Sequence, residues 1–387
     1  MHEASSSLHH CKFEVPEIVF GRGLIHKVGS CARRLGGRKV LLVSDEGLLR
    51  AGWVDVALDS LRGAGLDPVY YGDVTPNPKD TEVEEGAREY LRQGTDVIVG
   101  LGGGSAMDAA KGIAVLVSNQ GRIRDYKGTD TIQRPLPPMV MCPTTCGTGS
   151  DVSQFAVITD TLNMCKTVIG SRTLAPDISL TDPDTLSTLP QEFVCTSGLD
   201  ALSHAIEAFF SLAATSLTDV HAIRSVRLLA SSLVTGVREQ RPEDLEQLSR
   251  ASLHAGMALS NALLGMAHAL AHPLGGRYDL NHGSLNAVLL PEVIRYDLPA
   301  VWEKLPELSW GLGCRTNGDP AASARAIEDT VCQLLHDTGA PTSLRSLGVV
   351  EVDLPELATK ALNDVCLVTC PRQATQADLL GVLEKTF

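Results

Sequence analysis

Asp200 and His204 stand four residues apart, and His268 and His272 repeat that interval. In a helix a four-residue step turns by about 40° and rises about 6 Å, so each pair shares one face. His282 follows in the turn Leu280-Asn281-His282-Gly283. A lone buried histidine is usually satisfied by backbone or water. One carboxylate and several imidazoles on apolar helix faces are a different case, because burying them unpartnered is costly. A shared divalent cation would partner them together. That set suits Fe(II), Zn(II), Co(II) or Ni(II) better than Mg(II) or Ca(II), and does not discriminate among the first four. No H-E-x-x-H is present, so a zinc-protease helix is not expected.

A second set of residues suits an anion. Gly100-Leu101-Gly102-Gly103-Gly104-Ser105 follows an apolar run and opens a helix. Glycines allow close backbone approach, and free N–H groups at a helix start favour a pyrophosphate. Neither G-x-G-x-x-G nor the G-x-x-x-x-G-K-[ST] spacing is matched. The bland alternative is a turn with Ser105 as helix cap. Pro143-Thr144-Thr145-Cys146-Gly147-Thr148-Gly149-Ser150 is a polar loop after another apolar run. Thr144, Thr145 and Thr148 suit hydrogen bonds to ribose, phosphate or nicotinamide, or equally an ST-turn cluster. Asp45 ends the run Val40–Val43, where an acid reads a ribose 2′-OH or caps a helix.

The elements that must position these residues fall into two halves. Apolar runs 40–43, 68–71, 97–100 and 139–142 read as strands, and 47–63, 80–93 and 106–117 as the helices between them. Alternation of this kind predicts a parallel sheet with crossover helices. Phe13–Phe20 reads as a short strand pair or an exposed arm. Runs 155–158, 166–169 and 178–181 read as further short strands at an edge or flap. From Ser197 onward the apolar spacing is helical: Leu199, Leu202, Ala205, Ile206 and Phe209, then Ala222, Val226, Leu229 and Leu233. Pro190 marks the change, giving expected domains 1–187 and 188–387. The fold class is an α/β, Rossmann-like dinucleotide-binding domain followed by an all-α metal-binding domain.

The stretch Ala251–Gly276 lacks Asp, Glu, Lys and Arg and is long enough to span a bilayer. Its three histidines, Asn261 and Pro273 favour a helix buried in a soluble core instead. The chain has 387 residues, 33 Lys+Arg against 46 Asp+Glu, and a net charge of −13. That balance argues against a nucleic-acid partner. With 44% hydrophobic residues it is not a disordered chain. The ten cysteines include no C-x-x-C pair and read as reduced thiols of a cytoplasmic protein. Met1–Cys11 has no apolar segment of the kind that directs secretion.

These stretches resemble the iron-containing (group III) alcohol dehydrogenases, the family of lactaldehyde reductase and 1,3-propanediol dehydrogenase. The matching text is Gly102-Gly103-Gly104-Ser105 with Asp108 and Lys111, then Pro143-Thr144-Thr145 through Gly147-Thr148. It continues in Gly198–Glu207 and Gly265–Gly275 and closes on Asn281-His282-Gly283. The resemblance implies metal ligands at Asp200, His204, His268 and His282, and a further active-site histidine at His272. It implies a pyrophosphate loop at Gly102–Ser105, and a ribose-reading acid at Asp45 that favours NAD over NADP. Asn77, Asp108 and Lys166 fall on further cofactor-side positions. It also implies a homodimer or higher homo-oligomer, joined through the strand region Phe13–Phe20. Three positions depart from the family pattern: Asn281 replaces Pro, Asp151 replaces Glu, and Cys370 replaces Asn before Pro371-Arg372.

The implied reaction is NAD(H)-linked interconversion of a short primary alcohol or diol with its aldehyde, using Fe(II) or Zn(II). His272 would relay the proton or orient a ligand. Phe155, Leu264 and Cys366 are candidates for the substrate wall. Three alternatives remain: a glycerol-type polyol dehydrogenase, a dehydroquinate-synthase-like lyase, and a non-catalytic metal or nucleotide binder. The lyase needs a basic phosphate pocket, for which Arg277 is the lone candidate.

Overall fold

The structure is a computed structural model and describes residues 12–163 and 165–387. Met1–Cys11, and with them the reading of that segment's leader character, lie outside the described residues. The first half carries strands β1 (Glu17–Phe20), β2 (Lys39–Val43), β3 (Asp67–Tyr71), β4 (Val97–Gly102), β5 (Gly128–Thr129), β6 (Met139–Pro143), β7 (Phe155–Asp160), β8 (Cys165–Gly170) and β9 (Ile178–Thr181). Its helices are α1 (Val28–Arg34), α2 (Glu46–Arg50), α3 (Trp53–Gly63), α4 (Asp80–Gln93) and α5 (Gly104–Asn119). The second half is helical: α6 (Gln191–Phe210), α7 (Ser216–Arg238), α8 (Pro242–Ala262), α9 (Met266–Tyr278) and α10 (His282–Asp297). It closes with α11 (Leu305–Gly311), α12 (Pro320–Thr338), α13 (Leu354–Ala361) and α14 (Gln376–Thr386).

Six strands form one sheet in the order β1-β9-β6-β4-β2-β3, every neighbouring pair parallel. β4 is buried along its whole length, as a central strand covered on both faces must be. Alternate residues of β2 serve different cores: Leu41 and Val43 face one helix layer, Val40 and Leu42 the other. The chain runs from β2 to β3 on one side and returns to β4 on the other. The carboxyl ends of β2 and β4 therefore flank the switch point where a doubly wound sheet binds its ligand. Asp45 and Gly102 sit at those ends.

Three expected elements differ. The helix expected over 47–63 is broken at Gly52, whose φ of 85° no helix accommodates, giving α2 and α3. Ile178–Thr181 is not at a flap: β9 lies inside the main sheet between β6 and β1, and a separate sheet holds only β5, β8 and β7. Phe13–Phe20 is likewise neither a strand pair nor a free arm, since β1 pairs in parallel with β9. The uncharged stretch Ala251–Gly276 is two helices, because Leu263 leaves helical geometry at φ 63° and Gly265 starts α9 anew. Among the described residues no helix is long and apolar enough to cross a membrane. The nine described cysteines are all free.

Candidate metal centre and dinucleotide loop

Pro190 precedes α6, which carries Asp200 and His204 on one buried face. α9 carries His268, and Asn281 caps α10 by accepting the Ser284 N–H at 2.9 Å, placing His282 in the first turn. Asn281 has φ −62°, a value proline would also adopt, so this departure keeps the backbone of the loop. Two glycines permit the approach of these elements. A Cβ on Gly283 would meet the Thr196 carbonyl oxygen at 2.2 Å, and one on Gly147 would meet that of Ser197 at 2.4 Å. Bare backbone there lets α10 and the loop after β6 both touch α6.

The result brings all four expected ligands together: one ligand atom from each of Asp200, His204, His268 and His282 lies within 4.8 Å of the others. Asp200 Oδ1 is 3.8 Å from His204 Nε2, 3.9 Å from His268 Nε2 and 4.0 Å from His282 Nε2. Asp200, His204 and His268 are at most 5% exposed, whereas the His282 side chain is 36% exposed and marks the open side. The Nε2 lone pairs are fixed from behind. His204 Nδ1–H donates to the Gly147 carbonyl at 3.1 Å, and His268 Nδ1–H to Glu207 Oε2. Glu207 is itself held by the Ala267 N–H at 2.6 Å. Such partners set the tautomer of a ligating imidazole.

The cluster is short of positive charge. Asn286 Nδ2 faces Asp200 Oδ1 at 2.8 Å, His268 Nε2 at 3.0 Å and His282 Nε2 at 3.2 Å. Its two N–H groups cannot serve three acceptors, and its own Oδ1 is buried without a partner. Burial pushes His268 and His282 well below the usual histidine range, so both are neutral donors of a lone pair. A divalent cation fits these residues.

His272 stands apart from the four. Its Nδ1–H donates to Asp364 Oδ2 at 2.8 Å, and its ring lies parallel to that of His282 with centroids 5.8 Å apart. The remaining histidine of the uncharged stretch, His254, is not at the site. It pairs with His221 at 2.8 Å, and Phe13 stacks on His221.

The dinucleotide candidates gather at the switch point. Gly103 precedes α5 with no side-chain cap, leaving the first N–H groups of the helix open. A Cβ on Gly103 would meet Thr145 at 3.0 Å, and one on Gly104 would meet Thr148 at 2.9 Å. Thr145 Oγ1 is buried with no partner, and Thr144 N donates to the Gly102 carbonyl at 2.9 Å. Asp45 caps α2 through the Leu48 N–H at 3.0 Å, and its other oxygen lies 3.5 Å from where a Cβ on Gly102 would be. Ser105 Oγ accepts the Asn77 N–H at 3.2 Å. Lys166 Nζ donates to Asn77 Oδ1 at 2.7 Å. Burial and nearby Lys79 bring Lys166 down to about 8.

Asp108 is spent internally. It accepts Ser150 Oγ–H at 2.6 Å and the Val157 N–H at 3.0 Å, tying α5 to the Thr loop and β7. Lys111 is fully buried and donates to the Ser153 and Phe155 carbonyls at 2.8 Å each. Asp151 accepts the Ser179 hydroxyl at 2.7 Å. Of the wall candidates, Cys366 lies beside Asp364 and His272, while Phe155 and Leu264 pack against the helical core.

Four groups were not foreseen: Glu207, Asn286, Asp364 and the Gly147 carbonyl. Glu207 and Asn286 had a signal, lying seven residues after Asp200 and four after His282 on the same helix faces. Asp364 is 92 residues from His272, beyond any spacing rule.

The profile described as "Iron-containing alcohol dehydrogenase" matches residues 16–183, and "Fe-containing alcohol dehydrogenase family, C-terminal" matches residues 194–387. The chain is 40% identical over 378 residues to a 1,3-propanediol dehydrogenase of Citrobacter freundii, covering 96% of this chain and 98% of that one. It is 35% identical to an NAD-dependent methanol dehydrogenase of Bacillus methanolicus, covering 97% and 99%. A crystal structure of a 1,3-propanediol oxidoreductase superposes with a TM-score of 0.95 at 39% identity, over 97% of this chain and all of that one. With both halves matched and the ligand cluster assembled within the helical half, this chain belongs to the iron-containing alcohol dehydrogenase family.

Proposed function

We propose that this protein interconverts a short primary alcohol or diol with its aldehyde, using NAD(H) and one divalent cation, iron before zinc. The observation that carries the proposal is the loop Pro143–Ser150. Its threonines bracket Gly103 and Gly104, and its Gly147 carbonyl holds His204, so one segment serves both cofactor and metal ligand. Asp200, His204, His268 and His282 would hold the cation, which supplies Lewis acidity that eases loss of the hydroxyl proton and polarises the aldehyde in reverse. Gly102–Ser105 and the start of α5 would take the pyrophosphate, Thr144, Thr145 and Thr148 the adjoining groups, and Asp45 the ribose 2′-OH. Asn77 and Lys166 would lie along the same cofactor. NAD, when bound, would supply the hydride acceptor for the carbinol carbon, and His272 would pass the hydroxyl proton to solvent.

The same reading includes a boundary between residues 187 and 188, supported by Pro190 at the start of α6. It includes a homodimer formed through the edge of β1 that is unpaired among the described residues, as such edges favour. A cytoplasmic setting is supported by the nine free cysteines. The test is NADH formation with a panel of short alcohols and diols, before chelation, after it, and with Fe(II) or Zn(II) restored. Activity that falls on chelation and returns with one metal supports the proposal. His268→Ala should lose metal and activity yet still bind NADH. Full activity in metal-free His268→Ala protein would overturn it.

A further inference from the structure

His272 and Asp364 meet only through the fold. α9 brings the imidazole, and the 3-10 turn Val365–Thr369 brings the carboxylate just before it. The two oxygens of Asp364 do different things. Oδ1 accepts the Cys366 N–H at 2.9 Å and so caps its own turn, while Oδ2 accepts the His272 Nδ1–H at 2.8 Å. The turn is anchored at its far end. Thr369 Oγ1 donates to the Leu264 carbonyl at 2.7 Å, and the Thr369 carbonyl accepts the Leu212 N–H at 2.9 Å. Asp364 is thus fixed by backbone on both sides. No described protein group pairs with His272 Nε2. The two side chains are 11% and 13% exposed, shielded but within reach of water.

We infer that Asp364 is the positioning residue for His272: by taking the Nδ1–H it leaves Nε2 as the single proton-accepting nitrogen of the ring. This rests on the reading of His272 as the proton relay. Bound NAD would accept the hydride, with its electron pair, that leaves the carbinol carbon. The hydroxyl loses its proton, which reaches Nε2 and leaves to solvent. With Nδ1 already protonated, the ring accepts at Nε2 and becomes an imidazolium facing the Asp364 carboxylate, which stabilises it. Burial acts to raise the Asp364 carboxyl, but the His272 ring and the Cys366 N–H outweigh it and keep the carboxylate charged. A ring free to adopt the other tautomer would present a proton where it should accept one.

The test compares Asp364→Asn, His272→Ala and the double variant in single-turnover alcohol oxidation, with metal content and NADH affinity measured on each holoenzyme. Asn retains a cap acceptor for the Cys366 N–H, so the turn should persist. Asp364→Asn should lower the oxidation rate by roughly 10–100-fold, the scale on which orienting partners act. KM for the alcohol, NADH affinity and one equivalent of metal should stay within about twofold, since orienting partners rather than ligands are changed. The double variant should be no slower than His272→Ala, because a residue acting only through another adds nothing once that partner is gone. Asp364→Glu should recover part of the loss. Multiplying losses in the double variant would overturn the assignment, as would a normal rate in Asp364→Asn beside a slow His272→Ala. A normal rate in His272→Ala would instead remove the relay itself. His272, Asp364 and Cys366 also offer ligand atoms within 4.8 Å of one another. A second tightly bound zinc, lost in Cys366→Ala, would make them ligands and overturn the positioning role.

Discussion

At Asn286 one amide nitrogen faces three acceptors while its own oxygen has no partner, and at Glu207 one carboxylate takes both the His268 ring and the Ala267 amide. Both residues act on the ligand set without joining it. Glu207→Gln keeps the shape but can present an N–H to Nδ1 and so favour the wrong tautomer. We expect metal affinity to fall by roughly 10–100-fold, read by chelator competition on folded protein; unchanged affinity would reduce Glu207 to a packing residue. Both are legible as helical spacings from Asp200 and His282, but an amide or a glutamate on such a face reads as ordinary polarity and does not declare its role. Asp364 was illegible, since only tertiary structure pairs it with His272. A further buried acid sits at the end of α10. Burial, with Glu207 nearby, raises Asp297 to about 8, and the Cys370 thiol is its 3.7 Å partner. Unfolded, the group ionises near pH 4. Between those values the folded chain holds the extra proton, so stability falls as pH rises through that window. Asp297→Asn should flatten the dependence of Tm on pH between about 4 and 8, and an unaltered slope would show that other groups set it.

Between elements, the backbone contacts decide which side chains can meet. Gly283 lets α10 lie on α6 so closely that an added Cβ would sit 2.2 Å from the Thr196 carbonyl oxygen. Backbone cannot yield as a side-chain tip can. Gly283→Ala should therefore cost about 1–3 kcal/mol, the usual penalty of overpacking, and shift His282 away from Asp200. Tm and metal affinity should fall together. Gly381, inside α14, has nothing within 4 Å of its added Cβ. Gly381→Ala should instead raise stability by about 0.5–1 kcal/mol through helix propensity. Equal effects at the two sites would show that the close approach is unimportant. Periodicity located most of these elements, including α4 at its observed ends. It did not locate the breaks at Gly52 and Leu263, where one residue at positive φ ends an otherwise continuous apolar pattern. Nor did it place β9 between β6 and β1, because strand order is set by long-range pairing that a local pattern does not carry.

Across the whole molecule, the two halves are stitched at two separate places. Near β1, Asn261 of α8 exchanges hydrogen bonds with the backbone of Glu14, at 2.7 and 3.0 Å, and Arg250 lies over the Phe20 ring. On the cofactor side, Asn77 stands at φ 56° in Pro76-Asn77-Pro78 and donates Nδ2–H to Asp279 Oδ1 at 2.6 Å. Asp279 is the left-handed C-cap of α9, the helix that carries His268 and His272. Asn77 also takes Lys166 and bonds Ser105 at the start of α5, so one side chain and its amide connect the glycine-rich loop to the helix that carries His268. Asn77 and Lys166 are legible in the sequence as expected cofactor-side positions, whereas Asp279, 202 residues from Asn77, is paired with it only by the fold. Removing the carboxylate in Asp279→Ala should leave the ligand cluster intact while loosening the hold of α9 on the dinucleotide side. Asp279 is 70% exposed on its side chain, so the bond competes with water. Its loss should weaken the clasp by no more than about 1 kcal/mol, which is roughly a fivefold change in an equilibrium. We therefore expect KM for NAD to rise severalfold with metal content unchanged. A fall in metal content with KM for NAD unmoved would mean that Asp279 serves the end of α9 alone, and that the two halves are registered by the α8 and β1 contacts instead.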